Sequence, residues 1–425
     1  MSLLIKGGRV IDPANKVDKI VDIAIEKGRI SQLGSDIKPE GLKLIDARGL
    51  IVTPGLIDMH THLREPGRED EETILSGSRA ASKGGFTSVC VMPNTEPAID
   101  KEAVVEFILS KAQQAGVVNV YPIGAITRGR AGKILAEMGE LKRAGVVGLS
   151  DDGNPVEDSR VMRRALEYSK MFNLPIISHC EDKQLSAGGV MNEGWVSTAL
   201  GLRGIPCICE EHIVARDISL AVLTGGRLHI AHVSSAGSVK IIKQAKKDGV
   251  NVTAEATPHH FTLNDENLRS FSTNYKVNPP LRTDKDVDAV KQALADGVID
   301  AIASDHAPHS EEEKSVEFDY APFGIIGLET ALGLAIRELI EKKILTLSQL
   351  IEKMSVNPAR ILGLNKGRLD IGAEGDVTII DLKRDWVVKE KEFRSKSKNS
   401  PFIGERLKGM AVITICRGKV VYDAQ

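Results

Sequence analysis

A chain of 425 residues is long enough for two or three domains, or for one large barrel with an appendage. Lys plus Arg (56) nearly balance Asp plus Glu (58), and no basic block is sustained, which excludes a nucleic-acid or anionic-membrane footprint. The start Met1-Ser2-Leu3-Leu4-Ile5-Lys6 lacks a signal-peptide pattern, and the longest apolar stretch, Gly324 to Ile340, is interrupted by Glu329 and Arg337; a cytoplasmic protein without a membrane span is expected. The five cysteines are odd in number and sparse, so they form no disulfide framework. Cys207-Ile208-Cys209 beside His212 reads as loop or buried thiols in preference to a metal clip.

In chain order, residues 1–53 read as short strands: Leu3-Leu4-Ile5, Arg9-Val10-Ile11, Ile20 to Ile25, Ile30 and Leu44-Ile45. Gly-Gly, Asp-Pro, Lys-Gly-Arg and Arg-Gly separate them, which is hairpin grammar. Residues 366–425 answer with β runs at Gly375 to Asp381 and Ala411 to Cys416, and with a short echo of Gly8-Arg9-Val10-Ile11-Asp12 in Gly418 to Asp423. Both ends are expected to form one small composite β-sandwich.

Residues 54–365 alternate instead. After the opening strand come short apolar runs at Thr87–Met92, Val118–Ile126, Val146–Ser150, Pro175–Ser178, Leu228–Ala231, Asn251–Ala254 and Ile299–Ala303, as expected of parallel strands buried on both faces. Amphipathic helices lie between many of them. Ser159 to Phe172 sets Met162, Ala165, Leu166 and Ser169 at helical spacing behind a cap at Asp158 or Ser159, and several helices stop at a glycine such as Gly116 or Gly225. Eight strands with this rhythm predict an α/β fold, a (β/α)8 TIM-like barrel. A doubly wound open sheet is the runner-up, but no Gly-rich phosphate loop follows any strand.

In such a barrel the site lies at the C-terminal strand ends. The first strand ends in His60-Thr61-His62, whose imidazoles share one face of an extended strand and suit a divalent metal. Alone, the pair favours a plainer reading, two exposed histidines at a strand end. The second strand ends in Pro93-Asn94-Thr95, the fourth in Asp151-Asp152-Gly153, the fifth in His179, the sixth in His232, the seventh near His259-His260 and the eighth in Asp305-His306. His229 reads as a wall residue and Asp151 as a turn cap. His60, His62, His179, His232, Asp152 and Asp305 exceed what one open tetrahedral zinc needs and match two metals ~3.5–4 Å apart, with Asp152 between the two histidine groups.

With those residues in view, the chain resembles the amidohydrolase superfamily, and within it the dihydroorotases that use an aspartate bridge. The likeness is carried by Pro54-Gly55-Leu56-Ile57-Asp58, His60-Thr61-His62-Leu63-Arg64-Glu65-Pro66-Gly67, Met92-Pro93-Asn94-Thr95 and Ser150-Asp151-Asp152-Gly153. It continues through His179-Cys180-Glu181, His232-Val233-Ser234, Asn278-Pro279-Pro280-Leu281-Arg282, Ser304-Asp305-His306-Ala307-Pro308-His309 and Phe323-Gly324-Ile325-Ile326-Gly327-Leu328-Glu329. The resemblance implies two zinc ions per subunit, one held by His60, His62 and Asp305, the other by His179 and His232, with Asp152 shared. It implies substrate contacts at His62, Arg64, Asn94, Asn278, His309, Phe323 and Gly324, and a mobile loop at Ser310 to Phe318. The implied reaction is the reversible cyclisation of N-carbamoyl-L-aspartate to L-dihydroorotate, the third step of pyrimidine synthesis, with Asp305 as the catalytic proton carrier. Members of the family form homodimers, and some assemble with aspartate transcarbamoylase. The alternative is a hydantoinase or dihydropyrimidinase, whose relatives bridge their metals with a carbamylated lysine where this chain has Asp152.

Overall fold

Eight short parallel strands carry the apolar runs of the middle of the chain in the computed structural model, which describes residues 2–424. They are Leu56–Thr61, Phe86–Val91, Asn119–Pro122 continued by Gly124–Ala125, Leu149–Ser150, Ile176–Ser178, Leu228–Ile230, Val252–Ala256 and Ala301–Ile302. Each pairs in parallel with the next, the third pairing back through Asn119–Pro122 and forward through Gly124–Ala125. The ring closes between the eighth strand and the first: the His62 amide donates to His306 O at 2.8 Å, and the Ser304 amide donates to the Asp58 carboxylate at 3.1 Å. Met59, Cys90, Met92, Ile177, Ala231 and Ala303 belong to one buried cluster, and a larger one joins the strands to the surrounding helices.

The fourth and eighth strands start later than their apolar runs, for one reason. A run begins while the preceding helix is still closing on it: Val146 N bonds to Leu141 O, and Ile299 N bonds to Ala293 O. The seventh strand departs the other way, running past Ala254 through Glu255 to Ala256. Helix starts and stops follow the local chemistry. The Asp158 side chain accepts the Arg160 amide at 2.8 Å to cap Ser159–Ser169, and Gly116 and Gly225 end their helices at φ of 63° and 65°. No described helix is long and apolar enough to cross a membrane.

The two ends of the chain build two sheets. One has four strands, in the order Arg29–Gly34, Asp22–Glu26, Leu3–Lys6, Lys43–Asp46. The other has six, in the order Lys419–Asp423, Arg406–Cys416, Val377–Val387, Ile51–Pro54, Arg9–Asp12, Val17–Ile20. Ile51–Pro54 pairs antiparallel with Val377–Ile380, so the second sheet needs both ends. Leu3, Ile5, Ile23, Val52, Val377 and Ile415 share the core between the sheets. The run Ile20 to Ile25 is not one strand; it divides at Val21 between the two sheets. Residues 388–405, between the two longest strands, leave the sandwich and pack against the barrel segments 69–72 and 307–326.

Candidate metal centre and substrate pocket

His60 and His62 leave the first strand on one face, as a two-residue spacing requires. Their rings are 5.3 Å apart, and His60 is 5.2 Å from His232. The Asp152 carboxylate lies among all four candidate histidines: 3.4 Å from His60 Nε2, 3.6 Å from His62 Nε2, 3.7 Å from His179 Nδ1 and 3.5 Å from His232 Nε2. Asp305 Oδ1 stands 3.0 Å from His62 Nε2 and 3.5 Å from His60 Nε2. Two sets of converging ligand atoms join these residues, His60 with His62 and Asp305, and His60 with Asp152 and His232; a third set among the described residues, Glu71 with His309 and Glu313, involves none of them. His179 reaches the second through its Nδ1, 2.9 Å from His232 Nε2.

The outward nitrogens explain why the rings point inward. His60 Nδ1 donates to Glu255 Oε1 at 2.6 Å, His62 Nδ1 to Asn94 Oδ1 at 2.7 Å, and His179 Nε2 to Glu181 Oε2 at 3.0 Å. An acceptor on one ring nitrogen fixes the proton there and leaves the other free for a metal. His60 Nε2 and Asp152 Oδ1 are buried without a hydrogen-bond partner, a cost that a cation at this point removes. Nitrogen and carboxylate oxygen donors of this kind suit zinc and related divalent ions. The donor set fits the group.

Electrostatics agree. Burial alone pushes Asp152 up, but the nearby His60, His179 and His232 rings hold it well below the usual carboxylate range. Asp305 is likewise held low, burial being outweighed by His60 and His62. Glu255 falls to about 2, against its burial, through His60 and His229. The carboxylates remain anionic. Backbone strain also gathers here: Arg64, His232 and Asp305 sit at φ of 60°, 33° and 48°, a region costing a non-glycine residue about 1–3 kcal/mol.

Above the cluster opens a cavity of about 550 Å³, lined by His62, Asp152, His179, His232 and Asp305 together with Arg64, Asn94, Asn278, His309, Phe323 and Gly324. Only His60, fully buried, lies outside that lining among the expected site residues. Glu71 organises one side: its carboxylate takes Arg64 Nε at 2.8 Å and His309 Nδ1 at 3.0 Å. His309 Nε2 donates to Phe323 O at 2.8 Å. Gly324 lies at φ 132°, and a Cβ there would meet Ala307 Cβ at 2.8 Å and His309 Nε2 at 3.0 Å, so the pocket wall needs glycine. On the other side Glu181 takes Asn278 Nδ2 at 3.1 Å and Lys183 Nζ at 2.7 Å.

Among the remaining strand-end residues His260, His229 and Asp151 make structural bonds, whereas His259 is buried with its Nε2 unpartnered. His260 donates to Pro279 O at 2.8 Å, and burial lowers it to about 3. His229 stands in the wall between Thr253 and Glu255, and Asp151 accepts the Ile126 and Thr127 amides at 2.9 and 3.0 Å. His212 pairs with Asp182 at 2.9 Å, and neither it nor Cys207 or Cys209 joins a ligand set among the described residues. Glu71, Glu181 and Glu255 were not singled out by the sequence. Glu181 carries a usable signal, two residues past His179 in an extended stretch. Glu255 lies outside the expected run, which ends at Ala254, two residues before the strand's end at Ala256.

A parallel barrel with imidazoles and carboxylates converging at its C-terminal rim, joined to a β-sandwich, defines an amidohydrolase-type enzyme, a cyclic amide hydrolase in its pocket chemistry. Family models agree: "Dihydro-orotase-like" matches residues 49–238 and "Amidohydrolase family" matches residues 267–422. A dihydroorotase of Geobacter metallireducens is 56% identical, the match covering 99% of this chain and 100% of that one. Another from Pelotomaculum thermopropionicum is 57% identical over 99% and 98% of the two chains. In structure, the L-hydantoinase (dihydropyrimidinase) from Arthrobacter aurescens superposes with a TM-score of 0.89 at 26% identity, covering 99% of this chain and 96% of that one. The chain belongs to the dihydroorotase family.

Proposed function

We propose that this enzyme interconverts N-carbamoyl-L-aspartate and L-dihydroorotate, with two zinc ions as cofactors. The observation that carries the reading is Arg64, a guanidinium held by Glu71 in the same cavity as Asp152 and Asp305. Dihydroorotate differs from the neutral ring of a dihydropyrimidinase substrate by one carboxylate, and a planar guanidinium pairs with that group in bidentate fashion. In our assignment His60, His62 and Asp305 would hold one ion and His179 and His232 the other, with Asp152 available to both. Bound there, the ions supply Lewis acidity to the attacking water and to the ring carbonyl. Asp305, anionic and 3.0 Å from His62 Nε2, receives the water's proton and delivers it to the departing ring nitrogen; the reverse transfer accompanies ring closure. Asn94, Asn278, His309 and the backbone at Phe323-Gly324 orient the substrate. Asp152 supplies its own carboxylate where the hydantoinase reading expects a carbamylated lysine, so the structural likeness to hydantoinases describes the scaffold.

The test follows loss of dihydroorotate by ultraviolet absorbance with zinc-loaded protein, beside dihydrouracil, in wild type and Arg64→Met. A charged hydrogen bond contributes about 1.5–3 kcal/mol, so kcat/KM for dihydroorotate should fall roughly tenfold to a few hundredfold, with zinc content kept. Equal losses on both substrates would remove Arg64 as the carboxylate reader.

A further inference from the structure

We infer that Asn399, which lies beyond the barrel in the segment joining the two longest sandwich strands, is a positioning residue of the substrate pocket; the inference rests on the pocket assignment proposed above. Its side chain is buried and bonds both chain segments that form one pocket wall. Nδ2 donates to Ala307 O and to Gly324 O, each at 3.1 Å, while Oδ1 accepts the His309 amide at 3.2 Å. Its backbone carbonyl accepts the Ile326 amide at 3.0 Å. Two carbonyls facing one end of the amide and an N–H facing the other admit a single orientation, so the partners themselves fix which atom is nitrogen.

Other links across this wall, His309 Nε2 to Phe323 O and the Ala307 amide to Ile325 O, are donated by residues that line the cavity. Asn399 does not line the cavity and holds the wall from behind. A shift of the Gly324 and His309 backbone displaces substrate contacts directly, and a misplacement of about 1 Å can cost on the order of a hundredfold. The segment therefore extends the pocket's support beyond the barrel, to a stretch whose Ser395 and Ser397 bond the Glu72 side chain and the Glu71 carbonyl.

Asn399→Asp is close to isosteric and keeps the acceptor, but it sets an oxygen against two carbonyls. We expect KM for dihydroorotate to rise about tenfold to a hundredfold with kcat far less affected and zinc content unchanged. Amide exchange in peptides spanning residues 307–309 and 324–326 should quicken. Asn399→Ala admits water to the same carbonyls, should show a smaller rise in KM, and decides the matter if the aspartate variant fails to fold. An unchanged KM overturns the inference, as do parallel losses of kcat and zinc. If wild type does not turn over dihydroorotate, the functional reading fails, while the exchange rates still decide whether Asn399 holds the wall.

Discussion

Glu255 shows how one buried charge sets the direction of a ring. It is fully buried, takes the His60 Nδ1 proton through one oxygen and stands 3.2 Å from His229 Nε2 through the other. A carboxylate behind a metal-facing imidazole raises its basicity and locks its tautomer, and losing such a partner typically costs about 10–100-fold in metal affinity. Glu255→Gln preserves shape and the acceptor for His60, and removes the charge together with the acceptor facing His229. Zinc affinity measured by chelator competition should fall by about that factor; an unchanged affinity would show that shape, not charge, orients His60. At this scale the candidate cluster was legible because histidines and aspartates recur at the same end of several successive apolar runs, not because any one of them stands there. Their partners were not. His60 and Glu255 are separated by 195 residues, and His309 and Glu71 by 238, so only the closed barrel brings them together.

At the scale of elements, the loop after the eighth strand is held more firmly than its charged sequence implies. Ser310 caps a single helical turn, Glu311–Lys314. Lys314 Nζ then bonds Pro322 O at 2.9 Å and Gly324 O at 3.0 Å, and Lys276 Nζ bonds Phe318 O at 2.7 Å and Asp319 O at 3.0 Å. Both amines are buried close to the pocket wall. Burial, then the neighbouring Lys276 charge, lowers Lys314 to about 7 from 10.5, with Glu313 opposing. Between those values the unfolded chain holds the proton and the folded chain does not, so stability rises with pH. The penalty of the charged amine is complete below pH 7 and gone once pH passes 10.5, while the neutral amine still donates to both carbonyls. Lys314→Met removes these bonds at every pH and the titration with them. The stability advantage of wild type over the variant, from urea unfolding, should therefore be greater at pH 9.5 than at pH 6.5. An advantage that does not change with pH would mean that Lys314 keeps an ordinary pKa. Nothing in the run Ser310 to Phe318 announces this staple, because the carbonyls it uses have no side-chain signature.

For the whole molecule, the decisive fact is that the six-stranded sheet needs strands from both ends of the chain. The pattern of strands at both ends was enough to expect a composite sandwich, since short alternating runs separated by turn residues have no helical period to compete with. What the pattern could not give was how deeply the second half engages the barrel. Thr378 Oγ1 bonds Gly85 O at 2.6 Å, Thr414 Oγ1 bonds Ser82 O at 2.6 Å, and Ile380 and Ala411 share the barrel's own core cluster with Leu56 and Phe86. Each large apolar side chain so covered contributes about 1.5–3 kcal/mol, against a typical net stability of about 5–15 kcal/mol. A fragment of residues 54–365 would lose the cover over Leu56 and Phe86, the hydroxyl bonds to Gly85 and Ser82, and the Asn399 bonds to the pocket wall at once. It is expected to lack a cooperative thermal transition and to bind no zinc, read by circular dichroism and metal analysis, whereas the full chain should melt in a single transition. A folded fragment with two bound zinc ions and a normal KM would show that the sandwich is an accessory, and that the barrel carries its pocket unaided.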